Sequence, residues 1–313
     1  MNKKLILLAL SSSLLLAACS KVDYSQLKIV TPVGAPAVAL YGEVENPNFE
    51  TNADASNIIA SMSTGQYDVV VLPTDTGIKS INKGLDYKLA ATITFGNLFI
   101  ASTGNDDNET MDPTDKIVLF QQGAFPDKIF HYVYGDQFDS AIFYASNAQE
   151  AAKCLSTGIN MASENEKVDY VLMAEPALTT VLGNTSAPTY GKATVYANLQ
   201  EEYEEKSGGA PIFQASIFVK GTSDKKAVDE FLKKTKQNVQ DAISNPEKVS
   251  EALSKKEDPA GFFGVGPQVA ENVLNNNNGL GIGFKYAYEN KASIDTFVAL
   301  FGIEGTNEEI YYK

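Results

Sequence analysis

Residues 62–81 read MSTGQYDVVVLPTDTGIKSI, and the reading of this stretch decides the fold. Residues 67–72 (YDVVVL) form a short, valine-rich run, the pattern of a strand buried on both faces of a parallel sheet. Pro73 ends the run. Thr74 or Asp75 can then cap a helix, because a short side-chain oxygen there accepts from the free N–H groups of the first turn. The order is strand, tight loop, helix. In open parallel sheets ligands sit at the carboxyl ends of strands, facing helix N-termini.

The same unit occurs a second time. Leu155-Ser156-Thr157-Gly158 echoes Met62-Ser63-Thr64-Gly65, and residues 168–173 (VDYVLM) echo residues 67–72, with Asp169 opposite Asp68. Ala174-Glu175-Pro176 then stands where Pro73-Thr74-Asp75 stood. Upstream, Lys28-Ile29-Val30 followed by Gly34-Ala35-Pro36 is matched by Lys116-Ile117-Val118 followed by Gly123-Ala124-Phe125-Pro126. The offset rises from 88 at Lys28/Lys116 through 93 at Thr64/Thr157 to 101 at Asp68/Asp169. Order is kept and only loops grow, as expected of two copies of one architecture, although valine-rich strands also resemble one another by chance.

The first residues are Met1-Asn2-Lys3-Lys4, then apolar runs broken by Ser11-Ser12-Ser13, ending Leu16-Ala17-Ala18-Cys19. A basic start before a short apolar segment is a secretory signal, too short and wrongly flanked for a spanning helix. Its end resembles the lipobox of bacterial lipoproteins, which implies cleavage of residues 1–18, diacylation of Cys19 and a lipid anchor in the cell membrane. Residues 19–26 are then a tether, and the mature chain has 295 residues, enough for two lobes with their own cores. The remaining cysteine, Cys154, is expected to be a buried, inert thiol.

Without Lys3 and Lys4, 23 lysines face 39 acids, a net charge of −16, and there is no arginine. That composition excludes a nucleic-acid partner, which needs a basic face. It also restricts any anion site, since bidentate recognition of carboxylate, phosphate or sulfonate is arginine's specialty. His131 is the single histidine, which excludes a histidine-based metal cluster or catalytic triad. The acidic loop 104–115 lacks the glycine and glutamate of a calcium loop and reads as solvated. No metal and no cofactor are expected.

Taken in order, strands are expected over residues 27–31, 87–94, 98–103, 116–120, 193–196 and 212–220, and helices over 37–42, 54–63, 127–134 and 148–155. Residues 46–52 read as a polar connector and 199–206 as an exposed acidic segment. After Thr222 everything reads as helix: 225–244, 246–254, 267–275 and 285–301. Those helices have no sheet of their own and would pack back on the first lobe. Lobe 1 is then 27–101 with 217–313, and lobe 2 is 102–216. Two strands, 98–103 outward and 212–220 inward, cross between them, making a hinge and a cleft that closes on a ligand.

This organisation resembles the type II solute-binding proteins of ABC importers. Gly34-Ala35-Pro36, Gly65-Gln66-Tyr67-Asp68-Val69-Val70-Val71 and especially Ala174-Glu175-Pro176-Ala177 look like the subfamily that binds nitrate, alkanesulfonates, taurine and thiamine-precursor pyrimidines. That subfamily often carries tryptophan just before Glu-Pro, whereas Met173-Ala174 stand here and the chain has no tryptophan. The resemblance implies an α/β, two-lobe periplasmic-binding-protein type II fold. It implies an extracytoplasmic monomer that takes a small-molecule ligand and hands it to an ABC permease and its ATPase.

The strand-end rule and the resemblance together place the site. Lobe 1 offers Gly34, Ala35, Pro36, Pro73, Thr74 and Asp75. Lobe 2 offers Gln121, Gln122, Gly123, Ala124, Phe125 and Glu175, and near the crossings lie Phe95, Asn97 and Gln214. Asp75 and Glu175 have a second reading as first-turn helix acids, and Phe95 and Phe125 as core. A neutral or cationic heterocycle, such as an aminopyrimidine related to thiamine, fits the missing arginine, the two acids and the aromatic rings. A sulfonate or similar oxyanion fits the subfamily but must do without arginine. An anchored receptor or adhesin without transport is a further reading. Enzymatic pyrimidine synthases share the fold, but they depend on histidines and a cofactor lysine, and no G-x-S-x-G elbow occurs here.

Overall fold

The computed structural model describes residues 22–105, 110–161 and 166–313, so the signal segment and Cys19 lie outside the described residues. The first half of the chain runs β1 (Ile29–Pro32), α1 (Ala35–Ala39), β2 (Phe49–Asn52), α2 (Ala55–Thr64), β3 (Val69–Pro73), α3 (Thr74–Asn82) and β4 (Tyr87–Thr94). The second copy runs β5 (Leu98–Ser102), β6 (Ile117–Phe120), α4 (Phe125–Tyr134), β7 (Ile142–Ala145), α5 (Ala148–Thr157), β8 (Tyr170–Ala174), α6 (Ala177–Leu182), β9 (Thr194–Asn198) and α7 (Leu199–Lys206). The return comprises β10 (Ala215–Lys220), α8 (Lys225–Ser244), α9 (Pro246–Leu253), α10 (Pro259–Phe263), α11 (Pro267–Asn275), β11 (Ile282–Tyr286) and α12 (Lys291–Ala299).

These strands form two sheets, β11-β4-β10-β3-β1-β2 and β7-β6-β8-β5-β9. In each, three strands are parallel, and the third pairs antiparallel with a strand from across the hinge. β3 pairs with β10 in the first sheet, and β8 pairs with β5 in the second. The sequence echo is also a spatial one. Ile29 pairs with Val69 and Ile117 with Tyr170 in the same register. The paired aspartates do the same work. Asp68 accepts from the Lys28 N–H at 3.0 Å, and Asp169 accepts from the Lys116 N–H at 2.9 Å. The helices before them end on Gly65 and Gly158, both left-handed.

Several expectations are corrected. The supposed connector 46–52 contains β2, which pairs parallel with β1 and buries Phe49. β7, not expected at all, does the same beside β6. The expected helix 285–301 begins as β11, an edge strand against β4, and becomes helical only at α12. The C-terminal return therefore does add to a sheet. The acidic segment 199–206 is the helix α7, whose Leu199 and Tyr203 are fully buried. β5, assigned up to residue 101 to the first lobe, pairs wholly in the second sheet, so the chain crosses at Phe95-Gly96-Asn97. β10 starts at Ala215 and belongs wholly to the first sheet.

One hydrophobic cluster runs through both sheets, joining Val70, Leu72 and Leu89 to Val118, Leu119 and Leu172. α12 contributes Phe297 to it. That ring lies 6.4 Å from Phe125, 6.3 Å from Tyr203 and 6.3 Å from Phe213. A second cluster fills the other face of the first sheet under α8, α9 and α11. Cys154 is buried, and burial pushes its thiol pKa up, as expected of an inert thiol. Among the described residues no helix is long and apolar enough to cross a membrane.

Candidate functional site

A cleft of about 700 Å³ opens between the two sheets. That is within the range of small-molecule sites. Its position follows from the parallel strands, which point their carboxyl ends at it. The first sheet supplies Pro32 ending β1, Val33 and Gly34 after it, then Ala35 and Pro36 of α1, and Pro73 ending β3. The second supplies Ala174 ending β8, Glu175 and Pro176 after it, and Ala177, Thr180 and Val181 on α6. The floor is made by the crossings, through Asn97, Gln214 and Ala215.

Gly34 can sit at the rim because the return reaches over it. Its N–H donates to the Phe263 carbonyl at 2.7 Å. Gly264 follows with φ of +73°, and a Cβ there would lie 2.9 Å from the Gly34 nitrogen. This contact brings Ala260, Gly264, Val265, Gly266 and Val269 to the cleft wall. The opposite wall includes Ala148, Gln149 and Ala152 of α5. Sequence reasoning missed both groups. The first comes from the C-terminal return, and the second follows β7, the strand that was not anticipated.

The lining is mostly proline, alanine and valine, and no lysine is among it. Glu175 is the charged side chain that lines the cleft, and it is only 5% exposed. Its carboxyl accepts from the Thr179 N–H at 3.0 Å and from the Thr179 hydroxyl at 2.8 Å. Burial pushes its pKa up, and the two hydrogen bonds from Thr179 partly offset that. Both readings of Glu175 thus meet in one residue, since it caps the start of α6 and faces the cleft. Across the floor, the Gln214 side-chain N–H donates to Asn97 Oδ1 at 3.1 Å, and the Asn97 side-chain N–H donates to the Glu175 carbonyl at 2.6 Å.

Of the anticipated residues, the structure brings Gly34, Ala35, Pro36, Pro73, Asn97, Glu175 and Gln214 together on this cleft. The others lie off it. Thr74 is fully buried, bonded through Ser216 Oγ at 2.6 Å to a hydroxyl chain that continues to Thr92 at 2.7 Å. Asp75 pairs with Lys79 one turn along α3, at 3.1 Å. Phe95 packs edge-on against Phe213 and faces a separate cavity of about 220 Å³. Gln121, Gln122, Gly123 and Ala124 form an exposed turn, tied down by the Gly123 N–H on Asp127 at 2.7 Å. Phe125 is engaged by Phe297 of α12. The physical reason is shared by Phe95 and Phe125, whose rings meet apolar partners next to the hinge before any ligand.

His131 is held between the Asp127 carbonyl, 2.9 Å from Nδ1, and Asp139, 3.2 Å from Nε2. Burial lowers its pKa, but the two aspartates outweigh this and the net shift is upward. His131, Asp136 and Asp139 have ligand atoms within 4.8 Å of one another, on the surface and away from the cleft.

No protein-family model and no curated protein matches the sequence. Solved structures match the fold. An ABC transporter structure from Parabacteroides distasonis superposes with a TM-score of 0.72 at 19% identity, over 92% of this chain and 98% of that one. The periplasmic aliphatic sulphonate binding protein SsuA from Escherichia coli gives 0.63 at 12% identity, over 92% of each chain. The ligand-binding component of an ABC-type import system from Staphylococcus aureus, with zinc bound, gives 0.59 at 11%, over 92% of this chain and 96% of that one. At these identities the likeness is one of fold: the chain has the two-sheet α/β architecture of periplasmic binding proteins.

Proposed function

We propose that this protein is the solute-binding component of an ABC-type importer, and not an enzyme. It would capture a small molecule between its two lobes and deliver it to a membrane permease and its ATPase. The observation that carries the reading is the 700 Å³ cleft at the carboxyl ends of both sets of parallel strands, floored by the two crossings between sheets. A site spanning a hinge is one that closes when filled. The bodies that close are residues 27–95 with 215–313, and 98–206. An extracytoplasmic location with a lipid anchor on Cys19 fits the sequence, and Cys19→Ala should move the protein from the membrane to the soluble fraction.

For the ligand, a neutral or cationic heterocycle such as a thiamine-precursor pyrimidine is the reading we favour. Its support is the lining itself, with Glu175, the side-chain amides of Asn97, Gln149 and Gln214, and no lysine. With Phe95 and Phe125 engaged elsewhere, apolar contact comes from prolines, alanines and valines instead. The sulfonate reading rests on the Escherichia coli neighbour, a periplasmic aliphatic sulphonate binding protein.

A thermal-shift screen of the chain from Ser20 onward tests this, with aminopyrimidines and related heterocycles against alkanesulfonates, taurine and nitrate. A ligand at 100 times its Kd adds about 2.7 kcal/mol of stability. Heterocycle hits that disappear in Ala177→Trp, which fills the cleft, support the reading. Hits confined to oxyanions overturn the ligand class, and hits untouched by Ala177→Trp overturn the site.

A further inference from the structure

We infer that the two walls of the cleft divide the ligand between them: lobe 2 and the crossings hold a polar end, and lobe 1 closes over an apolar body. This rests on the cleft being the binding site and deepens that reading to a substrate class, a small amphipathic molecule.

The lining is sorted by lobe. Its polar side chains are Asn97 and Gln214 at the crossings and Gln149, Glu175 and Thr180 on lobe 2. Lobe 1 contributes only proline, valine, alanine and glycine, from its strand ends and from residues 260–269 of the return. Any side-chain hydrogen bond from this lining to a ligand therefore comes from lobe 2 or the floor.

The main chain of lobe 1 does little to make up for this. Pro32, Pro36 and Pro73 have no N–H to offer. The Val33 N–H donates to the Asn52 carbonyl at 3.3 Å, the Gly34 N–H to the Phe263 carbonyl at 2.7 Å, and the Gly264 N–H to the Ala260 carbonyl at 2.9 Å. Three prolines and three engaged N–H groups leave this wall short of donors.

Closure then acts in opposite ways on the two ends of a ligand. A polar group pressed against lobe 1 loses its water and gains few partners, which is unfavourable. An apolar group there leaves water together with the wall it meets, which stabilises the closed state in proportion to the area covered. On the other wall the order is reversed, because hydrocarbon would strip water from Glu175 and the amides without replacing it. A small, wholly polar molecule such as nitrate or sulfate can meet lobe 2, but it gives lobe 1 nothing to close on.

The chain from Ser20 onward is titrated by calorimetry with four homologous series: alkylammonium ions, alkyl carboxamides, 2-alkyl-4-aminopyrimidines and alkanesulfonates. Each has chains of two, four and six carbons, and nitrate and sulfate are run beside them. We expect one head group to be preferred and affinity within its series to rise roughly 4-fold per added CH₂. Val33→Thr combined with Val269→Thr keeps the shape of lobe 1's wall and makes it polar. The pair should flatten the rise, weakening the longest member roughly 10-fold and the shortest by less than about 2-fold. Gln149→Leu and Glu175→Gln should instead shift all members of a series alike or exchange the preferred head group. Melting without ligand controls for folding, and if the valine pair does not fold, the chain-length dependence of the unchanged protein still decides. Affinity independent of chain length, a rise that survives the valine pair, or an empty panel overturns the inference. So does nitrate or sulfate binding as tightly as the longest member. Where Ala177→Trp abolishes the binding seen, the cleft stands whichever way the series runs. Binding unaffected by Ala177→Trp defeats the cleft itself.

Discussion

The first and second α/β copies share a frame down to single hydrogen bonds and differ in which of their loops reach the cleft. In both, an aspartate ahead of the third parallel strand clamps the N–H ahead of the first, through Asp68 on Lys28 and Asp169 on Lys116. In both, a glycine follows the first strand and a proline sits in the first turn of the next helix, at Pro36 and Pro126. Yet Gly34, Ala35 and Pro36 line the cleft, while Gln121 to Phe125 do not. After the third strand the roles reverse. Thr74 sinks into the first sheet's hydroxyl chain and Asp75 pairs on the surface, whereas Glu175 is buried at the cleft. The repeat sets the frame. The C-terminal return breaks its symmetry, because α10 docks on the Gly34 loop and α12 docks on Phe125.

That comparison breaks most completely at Phe297, which is 1% exposed and touches aromatic rings from the second copy and the crossing. Phe297→Ala should cost about 3–5 kcal/mol in a urea melt. A loss below about 1 kcal/mol would show that α12 does not bridge the two bodies. Next in size is Gly281, with φ of +60° and its missing Cβ placed 1.7 Å from the Gly96 carbonyl oxygen at the crossing. Gly281→Ala should cost more than about 2 kcal/mol. Gly123→Ala, in the second copy's exposed turn, has φ of +75° and no atom within 4 Å. It should cost only the local strain of about 1–2 kcal/mol. Equal losses at the two glycines would refute the close approach at the crossing.

Asp68→Ala and Asp169→Ala sharpen the comparison. Each removes the same clamp and should cost about 1–2 kcal/mol. The first should cost slightly more, because Asp68 also accepts from the Ser223 hydroxyl at 2.8 Å. If one is silent, the two copies are not held alike.

The smallest effect is the pH dependence at Glu175. Burial raises its folded pKa above the ordinary value of 4.5, so the folded chain holds this proton more tightly than the unfolded one. The contribution to stability is present below that ordinary value and is lost as pH rises through the raised folded pKa. Glu175→Gln keeps one of the two acceptors that meet Thr179 and removes the titration. Over that window its stability should gain on that of the unchanged protein, followed by melting at stepped pH. Parallel pH curves for the two proteins would mean that the carboxyl is not desolvated at the cleft.

The strands buried on both faces were legible because nothing but an apolar run can fill such a position. β3 and β8 fall close to where the valine-rich runs lie, and β4 covers the residues expected. The edge strands were not legible. β2 is FETN, with one of its residues buried, and β7 is half-exposed along most of its length. A strand paired on one side carries half the apolar signal, and without β7 nothing pointed the expected helix 148–155 at the cleft that its first turn lines. The end of β11 was read into the helix that becomes α12, because an edge strand of five residues with one of them fully buried carries little apolar alternation.

By itself, the sequence determined the doubled strand-loop-helix frame, the missing arginine and hence the limits on an anion site. It also placed the strand ends and crossings that carry Gly34, Asn97, Glu175 and Gln214. These are local or compositional properties, set by periodicity and residue chemistry. Only the tertiary structure decided that Phe95 and Phe125 belong to the hinge core, that residues 260–269 form a cleft wall, and that Asn97 joins Gln214 to the Glu175 carbonyl across the floor. Each of those depends on segments more than 75 residues apart meeting in space, and no local pattern records which surface a distant segment will cover.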